Sequence, residues 1–281
     1  MMDMKTRDDT WDDLSEIFNT CTPIQAADEI TNLYMHLSNG YQYMAMTDYP
    51  YPASFLEPMP GYPINECVKP FEPIPTTDEM SFVGKTKNLF SEKMTKIRGG
   101  MSSRETELLN ALHDSTNVYF NYTGQYPCTN LSDTEGTGNL DGYGWNILAC
   151  NELFMPTAMN DESMFLPLLI DYDAYTTYCQ NTYGLTPQYD WALDYFGGYD
   201  IEKDFLAVTN IVFSNGNLDP WMAGGLNYNV TADGSGIALL IEGGAHHLDL
   251  RAPTDQDPDF LIEARAIETA NIKKWVDEYQ N

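Results

Sequence analysis

Two stretches near the end of the chain hold the residues best suited to proton-transfer chemistry: NIVFSNGNLDPWMAGG at 210–225 and GIALLIEGGAHHLDLR at 236–251. Each reads as a buried β-strand running into a loop that presents one ionisable side chain, Asp219 in the first and His246 in the second. A carboxylate followed by a histidine, each just past a strand, is the tail of a Ser…Asp…His order. The chemistry would be acyl transfer: the carboxylate orients an imidazole, and the imidazole takes a proton from a hydroxyl nucleophile. Asp219 lies in a turn-rich Asn-Gly-Asn-Leu-Asp-Pro run, so taken alone it reads first as a turn cap. Gly243 and Gly244 before His246 permit a sharp turn and a close backbone approach. The two residues in this order favour the catalytic reading.

Metal chemistry is a second use for His246, His247 and Asp249. Neighbours in an extended loop point to opposite sides, and no Glu-x-x-His helix accompanies them, so no metal and no cofactor is expected. A catalytic serine needs a strand, a sharp elbow flanked by small residues, and a helix. No Gly-x-Ser-x-Gly occurs. Ser235 is flanked by glycines but precedes a strand, and Ser214 ends a strand but leads into Asn-Gly-Asn. The sequence thus offers an acid and a base without a matching nucleophile.

The elements that must hold these residues come in two textures. Residues 10–20 suggest a short acidic helix. Thr22-Pro23-Ile24-Gln25 suggests a capped start for a second helix. Ile24, Ala27, Ile30, Leu33, Tyr34, Leu37 and Tyr41 keep helical spacing, which predicts a helix to about Met46. Prolines at 50, 52, 58, 60 and 63 make residues 48–75 an irregular connection. A helical block over about 78–97 and a helix opened by a Ser102/Glu105 capping box follow. From Tyr119 to Trp145 loops are expected, then a helix or buried segment to Met155, then an aperiodic stretch over 156–200. A helix over Asp259–Tyr279, with Phe260, Ala264, Ile267, Ile272, Trp275 and Tyr279 on one side, closes the chain.

The 42 Asp+Glu against 14 Lys+Arg give a net charge of -28, which disfavours nucleic acid and anionic membrane surfaces as partners. No apolar run is long enough to span a bilayer. Sequons at Asn121, Asn130 and Asn229 suggest a secreted glycoprotein. The five cysteines include no C-x-x-C pair, which points to disulfides with one partner absent, and so to a chain that begins partway through its parent.

The segment FSNGNLDPW…IEGGAHHLDLR closely resembles the C-terminal signature of the lysosomal Pro-Xaa carboxypeptidase, dipeptidyl peptidase II and thymus-specific serine protease family. TDYPYPASFLEPMPGYPINEC, YFNYTGQYPC and GWNILACNELFMP extend the resemblance over residues 10–281. It implies an α/β fold: a helical cap domain over 1–118 and the C-terminal part of an α/β-hydrolase domain over 119–281. The family's nucleophile elbow and first strands precede the matched part. It further implies that Asp219 and His246 are triad acid and base, and that Met155 and Trp221 line a pocket for a proline-like residue. By the same resemblance Cys21 pairs with Cys128 and Cys150 with Cys179, leaving Cys67 free. Leu148 stands where relatives usually carry Gln. The expected partner is a peptide with proline near the scissile bond, in a lysosomal, vacuolar or secreted setting, with a homodimer left open. The competing readings are a pseudopeptidase or inactive fragment, and another hydrolase of the same fold such as an esterase.

Overall fold

The computed structural model describes residues 7–75, 101–133, 141–155, 157–229 and 235–280. The helical block expected over 78–97 lies outside them. The chain forms two compact units. The first takes Met1–Gly138, Gly216–Ala223 and Glu242–Leu261; the second takes Asn139–Asn215, Gly224–Ile241 and Ile262–Asn281.

In the first unit, α1 (Trp11–Ile17) and α2 (Ala27–Met46) pack with α4 (Ser103–Phe120). Leu14, Phe18, Ile30, Leu33, Leu37 and Leu109 form the first core cluster. Removing such side chains from water supplies roughly 1.5–3 kcal/mol each. The start of α2 differs from the expected cap. Ile24 is 2% exposed and its N–H donates to Ser15 Oγ at 2.9 Å, so residues 22–25 stay outside the helix and seat it in the core. The Glu29 carboxylate then caps the helix, accepting the N–H groups of Gln25 and Ala26 at 2.7 and 2.9 Å. At the other end α2 stops at Met46, before Asp48-Tyr49-Pro50, because Pro50 disfavours helical geometry at Tyr49.

The connection after α2 is irregular but contains one short helix, α3 (Pro63–Cys67), with proline in its first turn. Helix α4 opens as its sequence requires: Ser102 Oγ accepts the Glu105 N–H at 3.2 Å, and the Glu105 carboxylate accepts the Ser102 N–H at 2.7 Å. Cys21 and Cys128 are disulfide-bonded, and the Cys21 N–H donates to Thr129 C=O at 2.9 Å beside them. Cys67 is free and buried.

The second unit carries α5 (Gly142–Ala149), α6 (Tyr172–Tyr183), α7 (Trp191–Phe196) and α8 (Ile201–Asp204). Helices α6 and α7 fall in the stretch read as aperiodic. Helix α6 is held by aromatic side chains: Phe154 meets Tyr172 and Tyr175 of that helix and Tyr189 beyond it, at ring distances of 5.7, 5.1 and 4.6 Å. Tyrosine and threonine do not write the apolar stripe that marks a helix. The legible signals were the Asp171 cap, which accepts the Ala174 N–H, and Gly184 at φ 70 past the end. Cys150 and Cys179 are bonded. The expected helix to Met155 ends at Ala149, and Trp145 is exposed instead of buried.

Strands β1 (Ile211–Gly216) and β2 (Gly236–Ile241) form a two-stranded parallel sheet; the Ile211 N–H donates to Ser235 C=O, start to start. Read as fully buried in sequence, they are only half-buried: Ile211 and Leu240 are exposed. The final helix α9 (Asp259–Gln280) buries Leu261 and Ala264 at its start, while Ile272 and Tyr279 further along are exposed. This mixture of helices with a small parallel sheet is compatible with an α/β class. Among the described residues no helix is long and apolar enough to cross a membrane.

Candidate active site

The site lies in the first unit and begins with two glycines. A Cβ on Gly216 would stand 2.2 Å from the Gly244 carbonyl oxygen, so only glycine lets the loops after β1 and β2 meet there. The contact is then secured from both sides. Leu218 N–H donates to Gly244 C=O at 2.9 Å, and Gly243 N–H donates to the Asn217 side-chain oxygen at 2.7 Å. Gly243 turns with φ 82, a conformation that other residues adopt at a cost.

That meeting places Asp219 Oδ2 2.8 Å from His246 Nδ1. The side chains are 10% and 17% exposed, respectively, so the pair is largely withdrawn from water yet open on one side. Asp219 Oδ1 accepts the Trp221 N–H at 3.0 Å, closing the turn into the 3-10 segment Pro220–Gly224. Asp219 therefore caps its turn with one oxygen and faces the histidine with the other. With a carboxylate as partner, Nδ1 is the donor, and the Nε2 lone pair is left to accept a proton.

His246 is also held through its backbone. Its N–H donates to Met46 C=O at 3.0 Å, and the hydroxyl of Tyr49, 1% exposed, donates to its C=O at 2.8 Å. Met46 ends α2, where helix carbonyls have no partner within the helix, so the loop supplies the missing donor. Tyr49, Ala245, Leu248 and Leu261 form a core cluster beneath the loop. Burial pushes the Tyr49 hydroxyl up, so it stays a protonated donor. The Arg251 guanidinium lies over its ring at 4.6 Å. Sequence reasoning saw Met46 and Tyr49 only as a helix end. The available signal was that those end carbonyls need donors from elsewhere.

His247 corrects the expectation that neighbouring histidines point apart. Its backbone is left-handed, φ 52, and its ring centroid lies 3.4 Å from that of His246. Burial, and then the neighbouring His246, holds its basicity below the usual histidine range. Among the described residues no three His, Cys, Asp or Glu side chains cluster as metal ligands.

Trp221 lies beside the pair, its ring 6.3 Å from that of His246, and is 40% exposed. Met155 belongs to the second unit and is 41% exposed. Ser214, within β1, and Ser235, just before β2, also belong to the second unit. Among the described residues none of the hydrogen-bond partners of His246 is a serine. Asn130 and Asn229 are exposed, while the Asn121 amide is engaged, exchanging two hydrogen bonds of 2.9 Å with the Tyr126 backbone.

Comparison with known proteins gives a consistent result. Residues 1–268 match the family model described as serine carboxypeptidase S28. A protein described as lysosomal Pro-X carboxypeptidase from Mus musculus is 34% identical over 270 residues, 95% of this chain and 48% of the relative. The Homo sapiens protein of that description is 31% identical over 284 residues, 96% of this chain and 50% of the relative. A Caenorhabditis elegans protein described as prolyl carboxy peptidase like protein 5 is 31% identical over 265 residues. The chain spans about half the length of the curated relatives it matches. On this match and these identities, the chain belongs to the serine carboxypeptidase S28 family.

Proposed function

We propose that this chain carries the acid–base half of a serine exopeptidase that cleaves next to proline. The observation that carries the reading is the 2.8 Å contact between Asp219 Oδ2 and His246 Nδ1, in a chain of a serine peptidase family. His246 acts as base toward a serine hydroxyl and then as acid toward the leaving group. Asp219 holds its tautomer and stabilises the imidazolium. Trp221 supplies an apolar wall against which a pyrrolidine ring packs. The nucleophile and the oxyanion-binding amides come from a segment outside this chain. Residues 1–118 serve as a helical cap domain and residues 119–281 as the closing part of the hydrolase domain. The setting is lysosomal, in keeping with the names of the relatives, or else vacuolar or secreted, with glycans at the sequons.

A second reading, a chain without activity of its own, is favoured by one observation: no serine among the described residues is bonded to His246. One experiment tests both. The chain and its His246→Ala variant are assayed at mildly acidic pH against a proline dipeptide amide and a Pro-Xaa C-terminal peptide, with a serine-reactive phosphonate added. We expect equal, background turnover and no labelling, because loss of the nucleophile and of the oxyanion donors each costs orders of magnitude. Turnover lost in the His246 variant, with labelling of a serine in this chain, would falsify the assignment of the nucleophile to an outside segment. Extending the chain upstream with its own transcript separates the readings: a Gly-x-Ser-x-Gly elbow that restores turnover supports the peptidase, and a stop codon supports the inactive chain.

A further inference from the structure

Met46 touches both halves of the site, and it does so through two different atoms. Its carbonyl oxygen accepts the His246 N–H at 3.0 Å. Its thioether Sδ accepts the indole Nε1–H of Trp221 at 3.3 Å, an interaction spanning 175 residues of sequence. Asp219 completes the connection, with Oδ2 on His246 Nδ1 at 2.8 Å and Oδ1 on the Trp221 N–H at 3.0 Å. The four contacts form a closed ring, Met46–His246–Asp219–Trp221–Met46, with all members in one compact unit. We infer that Met46 is a positioning residue that fixes the Trp221 indole relative to the Asp219–His246 pair, so that the wall of the substrate pocket and the proton-transfer pair keep one geometry.

Three physical points support this. Met46 is the last residue of α2, so its carbonyl is one of those left without a helical donor and is free to serve the loop. A thioether is a weak acceptor on a flexible, unbranched side chain, so it can follow an indole that still has room to adjust. Trp221, 40% exposed, lies in the short 3-10 segment Pro220–Gly224, which buries none of its residues, so a packed core does not by itself fix its ring. An indole N–H usually finds a partner, and the partner it has decides how the ring is turned. The inference rests on the proposal that Trp221 lines a proline pocket, and the test below separates the two.

The test uses the whole chain with 15N-labelled tryptophan. The chain has five tryptophans, and Trp221→Phe identifies the Trp221 indole resonance. Met46→Leu removes the acceptor and keeps an apolar side chain and the carbonyl. Met46→Gln keeps the chain length and returns an acceptor. The probe for the pocket is N-acetylproline, titrated while the same resonance is followed. We expect Met46→Leu to shift the Trp221 indole N–H, to speed its exchange with solvent, and to weaken N-acetylproline binding about three- to tenfold, the loss expected for one modest hydrogen bond. Met46→Gln should restore both, and in a Trp221→Phe background Met46→Leu should have no further effect on binding. An indole resonance unmoved by Met46→Leu, or binding that Met46→Gln fails to rescue, overturns the inference. A wild-type chain whose indole responds to Met46→Leu but which takes up no N-acetylproline keeps the positioning contact and sinks the proline-pocket reading instead.

Discussion

At the scale of single residues, the site turns on which imidazole nitrogen holds the proton. Asp219 Oδ2 can only accept, so it fixes Nδ1 of His246 as the donor and leaves Nε2 basic. Asp219→Asn keeps an oxygen for the Trp221 N–H. It can also turn an amide N–H toward Nδ1, which reverses the tautomer and puts the proton on Nε2, the atom that must accept one. The expected outcome is a change in the 15N pattern of His246 from the Nδ1–H to the Nε2–H tautomer, with little loss of fold. In a form of the protein that carries the nucleophile, turnover should drop by about 10⁴-fold, the scale known for this substitution in other serine proteases. An unchanged tautomer would show that other contacts orient the ring. Much of this site was legible from residue types: an acid and a base past two strands, and two glycines to bring them together. His247 was not, because no local pattern announces φ 52 at a histidine.

At the scale of elements, helices were legible where side chains talk to their own backbone and less so where a distant contact competes. Ser102 and Glu105 exchange hydrogen bonds within four residues, so the sequence suffices to place the start of α4. Thr22-Pro23-Ile24-Gln25 has comparable local signals, yet burying Ile24 outweighs them and the helix starts at Ala27. Burying an isoleucine is worth roughly 1.5–3 kcal/mol against about 1 kcal/mol for a cap, so the core wins. This contrast gives a prediction. Ser102→Ala should destabilise the first unit by about 1 kcal/mol, and Thr22→Ala should change it by less than about 0.5 kcal/mol, both read from urea midpoints at constant slope. Equal losses for the two would mean that Thr22 has a capping role that the helix start at Ala27 does not give it. Helix α6 belongs with the missed elements for a related reason: its ring contacts are aromatic and shared among Phe154, Tyr172, Tyr175 and Tyr189, so they leave no 3.6-residue stripe.

At the scale of the whole molecule, two long-range features govern stability. One is interleaving: the first unit draws on three separate segments, tied by contacts such as the Tyr49 hydroxyl to His246 across 197 residues. Such contacts have no short-range sequence signature, which is why the chain's organisation was less legible than its site. The other is charge. A net charge of -28 works against the compact state through self-repulsion, which salt and acid both relieve. Acid has a second, opposing effect through His36. This residue is 5% exposed, stacked on Phe120 at 3.6 Å, and its Nδ1 has no hydrogen-bond partner among the described residues. Burial lowers its pKa to about 4 from 6.5; the backbone and carboxylate of Asp133 partly offset that shift, and nearby His113 adds to it.

The sign follows from the folded value lying below the unfolded one. Above pH 6.5 His36 is neutral in both states and its burial carries no protonation penalty. As pH falls from 6.5 toward 4 the unfolded chain takes up the proton first, so stability is lost across that window, by up to about 3 kcal/mol at its lower end. His113, also lowered mainly by burial, acts in the same direction. The carboxylates that relieve the self-repulsion titrate lower, so between pH 6.5 and 5 the histidine effect should dominate. We therefore expect urea unfolding in 0.15 M salt to show wild-type stability falling from pH 6.5 to pH 5, and His36→Gln, which cannot take a proton, to fall less steeply over the same interval. The variant starts lower at pH 7.5, having lost the stacked ring, and the two curves converge on acidification. Parallel curves would mean that His36 takes up its proton in the folded protein over the same pH range as in the unfolded chain, and that the stack on Phe120 tolerates a charge that its burial argues against.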